Sequence, residues 1–323
     1  MAGGTAVGVV AASLLSSPTP MLPATQAPAP STTASGPGSV PELSILTHNI
    51  LMLPEGLGGK ANAARVDLIA NADYIRDHDV VVLQEAFDTG PSDMLKARLS
   101  NQYPHQTPVV GRSRSGWDET LGSYSKLTPE DGGVTILSKW PITHQIQYVY
   151  SNGCGADWFS NKGFAYARLE VDGRPVHMIA THLQAEDTFC FGDAAKVRTK
   201  QLAEIDGFIN ALAIPTNEPV VIAGDLNVIR ESPEYETMLS TLDAMDPSYA
   251  GHRYSWDPET NPLASSGGRE QLDYVLFRRG HPQPQGWTNT TLTPTSPTWT
   301  SGRRTYRHYS DHYPVLGATS RSE

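Results

Sequence analysis

A small set of side chains has the types and spacing to do chemistry on a phosphate ester. Glu85 closes the apolar run Val80-Val81-Val82-Leu83, where a lone carboxylate is costly to bury. Asp225 and Asn227 follow Val220-Val221-Ile222-Ala223-Gly224. Their i, i+2 spacing places both on one face of an extended segment, and Gly224 permits a tight backbone path. A carboxylate beside an amide oxygen suits a hard cation or a bound water. His312, next to Asp311, can take a proton from water near neutral pH. It needs a separate carboxylate to fix its tautomer, and Asp273 in Leu272-Asp273-Tyr274 is the candidate. His182 ends another apolar run. No activated Ser or Cys nucleophile stands out. Hard oxygen ligands, a base and a polarising histidine fit water attack on phosphorus, with magnesium binding the phosphate and stabilising charge in an in-line displacement. Each residue also has a plainer reading taken singly: a solvated strand end, a turn, a hydrogen-bonded structural histidine.

The elements that must position these groups are short and rich in β-branched residues. Leu43–Thr47, Val80–Leu83, Val134–Leu137, Val176–Ala180, Val220–Ala223 and Val275–Phe277 read as buried strands. Gly163–Val171 alternates like a half-buried strand and turns at Asp172-Gly173 into the next. Helices are expected from Ala63 to Arg76, with Leu68, Ile69, Ala72 and Ile75 on one face, and from Ala194 to Leu212, with Leu202, Ile205, Ile209 and Leu212. Strands mixed with helices and hairpins imply a layered α/β (α+β) fold with packed sheets. Polar residues recur at strand ends, so a site is expected at one rim.

The chain has 323 residues and a formal net charge of −10. That charge excludes a strongly basic nucleic-acid footprint and disfavours tight binding to anionic lipid. Residues 1–41 carry no charged side chain; Gly3–Leu15 is apolar and the rest is rich in Pro, Ala, Ser and Thr. The run is too short to span a bilayer. It reads as a secretory signal core lacking its positive start, followed by a disordered leader, or as a disordered tail alone. From Glu42 to Glu323 the sequence reads as one domain. Two cysteines, Cys154 and Cys190, allow a disulfide or two buried thiols.

Taken in order, Thr47-His48-Asn49, Gln84-Glu85, Thr181-His182, Gly224-Asp225-Leu226-Asn227, Leu272-Asp273-Tyr274 and Ser310-Asp311-His312 resemble the motif series of the endonuclease/exonuclease/phosphatase superfamily. The resemblance narrows to bacterial neutral sphingomyelinases through Gly116-Trp117-Asp118, Glu130–Val134, Ser138–Ile142, Asn161-Lys162-Gly163-Phe164 and Thr181–Asp187. It implies a DNase I-like four-layer sandwich, two packed mixed β-sheets flanked by helices. It implies a secreted sphingomyelin phosphodiesterase that acts peripherally on membranes, uses Mg2+ (with Mn2+ or Co2+ as alternatives) and releases ceramide and phosphocholine; a monomer is the default expectation. By position, Glu85 with Asn49 would hold the central cation. Asp225 and Asn227 would orient water and phosphate. His182 would contact phosphate and aid the leaving group. His312 would be the base held by Asp273, and Asp311 would support the metal site. Asp187 would influence metal and substrate binding, Glu130 and Asp131 would form an edge metal site, and Cys154 would pair with Cys190.

Two departures accompany the resemblance. Thr89 stands where related enzymes carry Asn at the edge metal. The segment Thr295–Tyr309, where relatives carry an aromatic-tipped hairpin, has Trp299 and three arginines but no aromatic pair. Trp299 and Phe87 are the candidates for membrane contact, with core packing as the alternative. Competing functions are a broader choline phospholipase C, including lysophosphatidylcholine, an exported nuclease on the same scaffold, and a non-catalytic lipid- or host-binding protein.

Overall fold

The computed structural model describes residues 42–319, apart from 55 and 265–266. The leader expected over 1–41 lies outside the described residues. Two mixed sheets form the centre. One has seven strands in the order Ser248–Gly251, Trp287–Thr291, Val315–Thr319, Ser44–Asn49, Val80–Gln84, Thr135–Ser138 and His105–Gln106. The other has six, in the order Asp273–Phe277, Val220–Asp225, Arg174–His182, Gly163–Val171, Ile142–Val149 and Glu119–Gly122.

Both faces of the central strands are apolar, which is why their sequences read as continuous runs rather than alternations. Successive residues point to opposite faces, and they sort into different cores. Val221, Ala223, Val275 and Phe277 meet Ile45, Val80 and Val82 between the sheets. Val220, Ile222, Tyr274 and Leu276 turn outward onto Leu202, Ile205 and Ile209 of the helix Ala194–Ala211 and Met238 of the helix Pro233–Thr241. On the far side, Leu46, Val81 and Leu83 meet Val66 and Ile69 of the helix Asn62–Ala70 and Leu95 and Leu99 of the helix Thr89–Leu99. Helix, sheet, sheet and helix thus form four layers. Asp172 and Gly173, both with positive φ, make the expected hairpin turn.

The helices differ in detail from expectation. The first runs only from Asn62 to Ala70, since Ala72 is extended and Asp73–Ile75 is a single 3-10 turn. Ile75 still enters the core. Two helices were not expected, Thr89–Leu99 and Pro233–Thr241. The second carries its start signal in sequence: Ser232 accepts from the Tyr235 N–H, and Pro233 opens the first turn. Among the described residues no helix is long and apolar enough to cross a membrane.

Candidate functional site

Strand direction brings the polar strand ends to one rim. Ser44–Asn49 and Val80–Gln84 run parallel in one sheet, ending in the pair Asn49 and Gln84. Arg174–His182 and Val220–Asp225 run parallel in the other, ending in His182 and Asp225. Asp273 starts an antiparallel strand opposite Asp225. Gly224 is required by close approach rather than by a turn: a Cβ there would collide with the carbonyl oxygen of Thr181 on the adjoining strand.

Asn49 stitches the two sheets together. Its amide nitrogen donates to Glu85 Oε1 and to Asp225 Oδ2, each at 3.0 Å, while its oxygen accepts from the Leu51 N–H at 3.2 Å. Glu85 sits at φ 55 and Asn227 at φ 51, backbone conformations that L residues seldom adopt; such strain collects at functional sites. Burial, reinforced by the charge of Asp311, pushes the Glu85 carboxyl up to about 7. Burial and then Asp273 push Asp225 up to about 6. Glu85 Oε2 is buried with no protein partner. An orphaned carboxylate oxygen amid other acids fits a divalent cation, which would supply the missing positive charge.

His312 Nδ1 lies 2.8 Å from Asp273 Oδ2, and its Nε2 faces Asp225 Oδ2 at 3.7 Å. Asp225, Asp273 and His312 could each offer a ligand atom to one ion. The short bond from Nδ1 uses one of those atoms, however, so the pair is better suited to orienting a base. Burial opposes a charge on His312, but Asp273, Asp225 and Asp311 outweigh it and hold the ring well above its ordinary range. The ring of Trp256 packs edge-on against His312 at 5.1 Å.

His182 Nε2 lies 3.5 Å from Asp225 Oδ2. Lys162 Nζ points at the same nitrogen from 3.3 Å, and also donates to Asp157 Oδ2 at 2.8 Å and to the Leu183 carbonyl at 3.1 Å. An ammonium has donors only, so its contact is satisfied by the tautomer in which Nε2 accepts and the proton rests on Nδ1, which has no protein partner, whereas Asp225 Oδ2 would suit the other tautomer. Burial, then Lys162 and His312, keep His182 well below its ordinary range and neutral. Asn227 donates from its side chain to the Leu183 carbonyl, and its N–H binds Asp225 Oδ1.

Lys162 falls in the motif Asn161-Lys162-Gly163-Phe164 without an expected role; a lysine immediately before an apolar strand is the signal that points to it. Two further groups were missed. His48 Nε2 contacts the His312 carbonyl at 3.2 Å, and burial pushes its ring down to about 3. Arg65, fully buried, donates to the carbonyls of Ile50, Leu51 and Tyr309, tying the chain after Asn49 to the segment before Asp311. The side chain of Asp311 accepts from the Ser310 hydroxyl at 3.1 Å.

The remaining candidates are held by other partners. Asp131 is already engaged: Oδ2 accepts from Arg112 Nε at 2.7 Å and Oδ1 from the Gly133 N–H at 2.9 Å. Glu130 is half-buried, and Thr89 begins a helix. Asp187 caps the turn Thr188–Cys190 and accepts from the N–H groups of Phe189 and Ala156. Cys154 and Cys190 form a disulfide with Cα atoms 5.2 Å apart. The membrane role expected for Trp299 and Phe87 is corrected, because both are buried. Trp299 packs on Tyr306 and Leu263 and donates to the His308 carbonyl, while Phe87 lies against Gly133.

Comparison with known proteins places this geometry. Residues 46–312 match the endonuclease/exonuclease/phosphatase family. A sphingomyelinase C from Bacillus cereus is 47% identical over 295 residues, spanning 86% of this chain and 89% of that protein. The crystal structure of sphingomyelinase C from Streptomyces griseocarneus superposes with a TM-score of 0.85 at 48% identity, covering 87% of this chain and 100% of that one. A Staphylococcus aureus beta toxin mutant, solved with bound magnesium ions, gives 0.85 at 43% identity over 86% and 100%. The chain belongs to the endonuclease/exonuclease/phosphatase family and, within it, to the bacterial sphingomyelinases C.

Proposed function

We propose that this chain is a secreted, magnesium-dependent phosphodiesterase that hydrolyses sphingomyelin to ceramide and phosphocholine, working as a monomer at the membrane surface. The observation that carries the reading is the unpartnered Glu85 Oε2 across Asn49 and Asp225 from the His312–Asp273 pair. The sphingomyelinase C name of close relatives supports the substrate.

Glu85, with Asn49 beside it and Asp225 and Asp311 nearby, would hold the cation. When bound, magnesium supplies Lewis-acid stabilisation of charge on the phosphate. The chain's own groups do the rest. Asp225 and Asn227 position the attacking water. His312 acts in its neutral form, which a cation offsetting the charges of Asp225 and Asp311 would favour; it takes the proton on Nε2 as the water oxygen bonds to phosphorus, and Asp273 steadies the resulting imidazolium through Nδ1. The bond from phosphorus to the ceramide oxygen breaks on the opposite side. There His182, kept neutral beside Lys162, donates a hydrogen bond from Nδ1–H to the departing or phosphoryl oxygens and the ammonium stabilises the developing charge; the ceramide oxygen takes its proton from solvent water, and the proton held by His312 returns to solvent.

A panel of sphingomyelin, phosphatidylcholine, lysophosphatidylcholine and DNA, each assayed with magnesium and with chelator, tests the reading. Phosphocholine released from sphingomyelin only with metal is expected. DNA cleavage without lipid turnover would overturn it, and faster turnover of the glycerolipids would move the substrate to a broader choline phospholipase C.

A further inference from the structure

Burial of Trp299 and Phe87 leaves membrane contact to be found elsewhere, and the aromatic side chains show where. The chain has seven Phe and six Trp. Among the described residues, those that are exposed are Trp158 at 68%, Phe159 at 59%, Phe189 at 73% and Phe191 at 89%. All four lie on two loops, 153–160 and 186–193, joined by the Cys154–Cys190 disulfide. Exposed apolar clusters of this kind mark sites for a protein or membrane partner.

The loops are held as one platform. The Ala156 N–H donates to Asp187 Oδ2 at 2.8 Å, and the Cys154 N–H donates to Gln184 Oε1 at 2.8 Å. Gly155, at φ +56, lies so close to the Asp187 carboxylate that no Cβ fits there. Between the rings lies a depression of roughly 680 Å³ lined by Trp158, Phe159, Phe189 and Asp187. The platform is continuous with the candidate site. Asp157, next to Trp158, binds Lys162, which reaches His182.

The charge of the loops selects the surface. They carry Asp157, Glu186, Asp187 and Asp193 and no Lys or Arg. Asp157 pairs with Lys162, Glu186 with Arg198 and Asp193 with Lys196, which leaves Asp187 as the carboxylate without a cationic partner, so the loops offer no attraction to an anionic leaflet. Choline-headed lipid matches them: its quaternary ammonium suits aromatic faces and carboxylates, and aromatic rings settle at headgroup depth.

We propose that Trp158, Phe159, Phe189 and Phe191 form the surface by which this chain docks onto a zwitterionic, choline-headed lipid leaflet, an inference that rests on the lipid phosphodiesterase reading above. The docking is apolar and cation–π in character and does not depend on attraction to anionic lipid.

The test uses the full chain with vesicles of sphingomyelin and phosphatidylcholine. Flotation measures partitioning, and phosphocholine release is followed on vesicles and on a water-soluble short-chain sphingomyelin. Trp158→Ala/Phe189→Ala and, independently, Phe159→Ser/Phe191→Asn are compared with wild type after thermal melts confirm folding. Both variants should lose vesicle partitioning and vesicle kcat/KM by about tenfold or more, the scale of one lost anchoring interaction, while the soluble substrate is turned over within about twofold of wild type. Unchanged partitioning would overturn the proposal. So would binding that grows with added phosphatidylserine and vanishes in high salt, or a wild-type dimer in sedimentation that both variants dissociate, which would make a second copy the occupant. Loss of partitioning in a chain that cleaves no sphingomyelin at all would sink the functional reading and leave the docking surface standing.

Discussion

Glu85, half-buried with one carboxylate oxygen shut off from solvent, and Asp131, a buried acid, lie on segments that touch, since the Ala86 N–H donates to the Gly133 carbonyl at 2.9 Å. Arg112 reaches across both, binding Asp131 with one nitrogen and the Ala86 carbonyl with another. Yet the two carboxylates are satisfied differently. Asp131 has a guanidinium on one oxygen and a backbone N–H on the other. Glu85 has an amide on one oxygen and nothing on the other. Burial raises both, Asp131 to about 6 and Glu85 to about 7, so a perturbed carboxyl does not by itself mark a metal ligand. The unmet oxygen is the feature on which the proposed cation site rests. The protein supplies its own cation at the edge and leaves the centre short of one.

Glu85→Gln should therefore have the largest effect. It removes the charge that would hold the cation, and losing several kcal/mol of transition-state stabilisation lowers kcat about a thousandfold or more at saturating magnesium. Retained activity would erase the distinction between centre and edge. His312→Ala should lower kcat by about 10²–10⁴-fold, the usual worth of a positioned base, with the melting temperature showing that the fold survives. Lys162→Met tests the ammonium that reaches His182. It should lower kcat about 10²-fold with little change in KM, while a purely structural lysine would shift stability and leave kcat alone.

Acidity sharpens the contrast from another side. Glu85 has a folded carboxyl near 7 against an ordinary value of 4.5. A raised acid stabilises the fold fully below the ordinary value, and that contribution is lost as pH rises through about 7. The metal-free chain thus forfeits this stability by neutral pH, and in the proposed site protons and magnesium would compete for the same oxygens. The rise in melting temperature on adding magnesium should be larger at pH 8 than at pH 5, and should vanish at both in Glu85→Gln. Asp131→Asn should have the smallest catalytic effect, within about tenfold. It should also cost about 1–3 kcal/mol of stability by chemical denaturation, because Arg112 loses a charged partner.

The two regions were unequally legible in the sequence. The central strands were readable because Val80–Leu83 and Val220–Ala223 are apolar on both faces. A buried run of that kind ending in Glu85 or Asp225 delivers a carboxylate to the edge of the core, where it must find a cation or a donor. The His312–Asp273 pair was readable because a base needs an orienter and Leu272-Asp273-Tyr274 offered one. Arg65, His48 and Lys162 were not. Their roles arise where the strands and a helix converge, and residue type alone does not reveal it. Arg65 in particular looks like a surface helix residue until the carbonyls of Ile50 and Tyr309 are seen to converge on it. The aromatic residues failed in the opposite sense. Trp299 and Trp158 are the same residue type in similarly polar stretches, and only tertiary packing puts one against Tyr306 and the other in solvent.

The central claim is tested most directly by the initial rate of phosphocholine release from sphingomyelin as magnesium is titrated into wild type, Asp131→Asn and Glu85→Gln. Wild type and Asp131→Asn should rise from near zero in chelator to plateaus within about tenfold of each other, while Glu85→Gln stays flat. A magnesium-dependent rise in Glu85→Gln, or its loss in Asp131→Asn, would contradict the account and put the working cation at the edge.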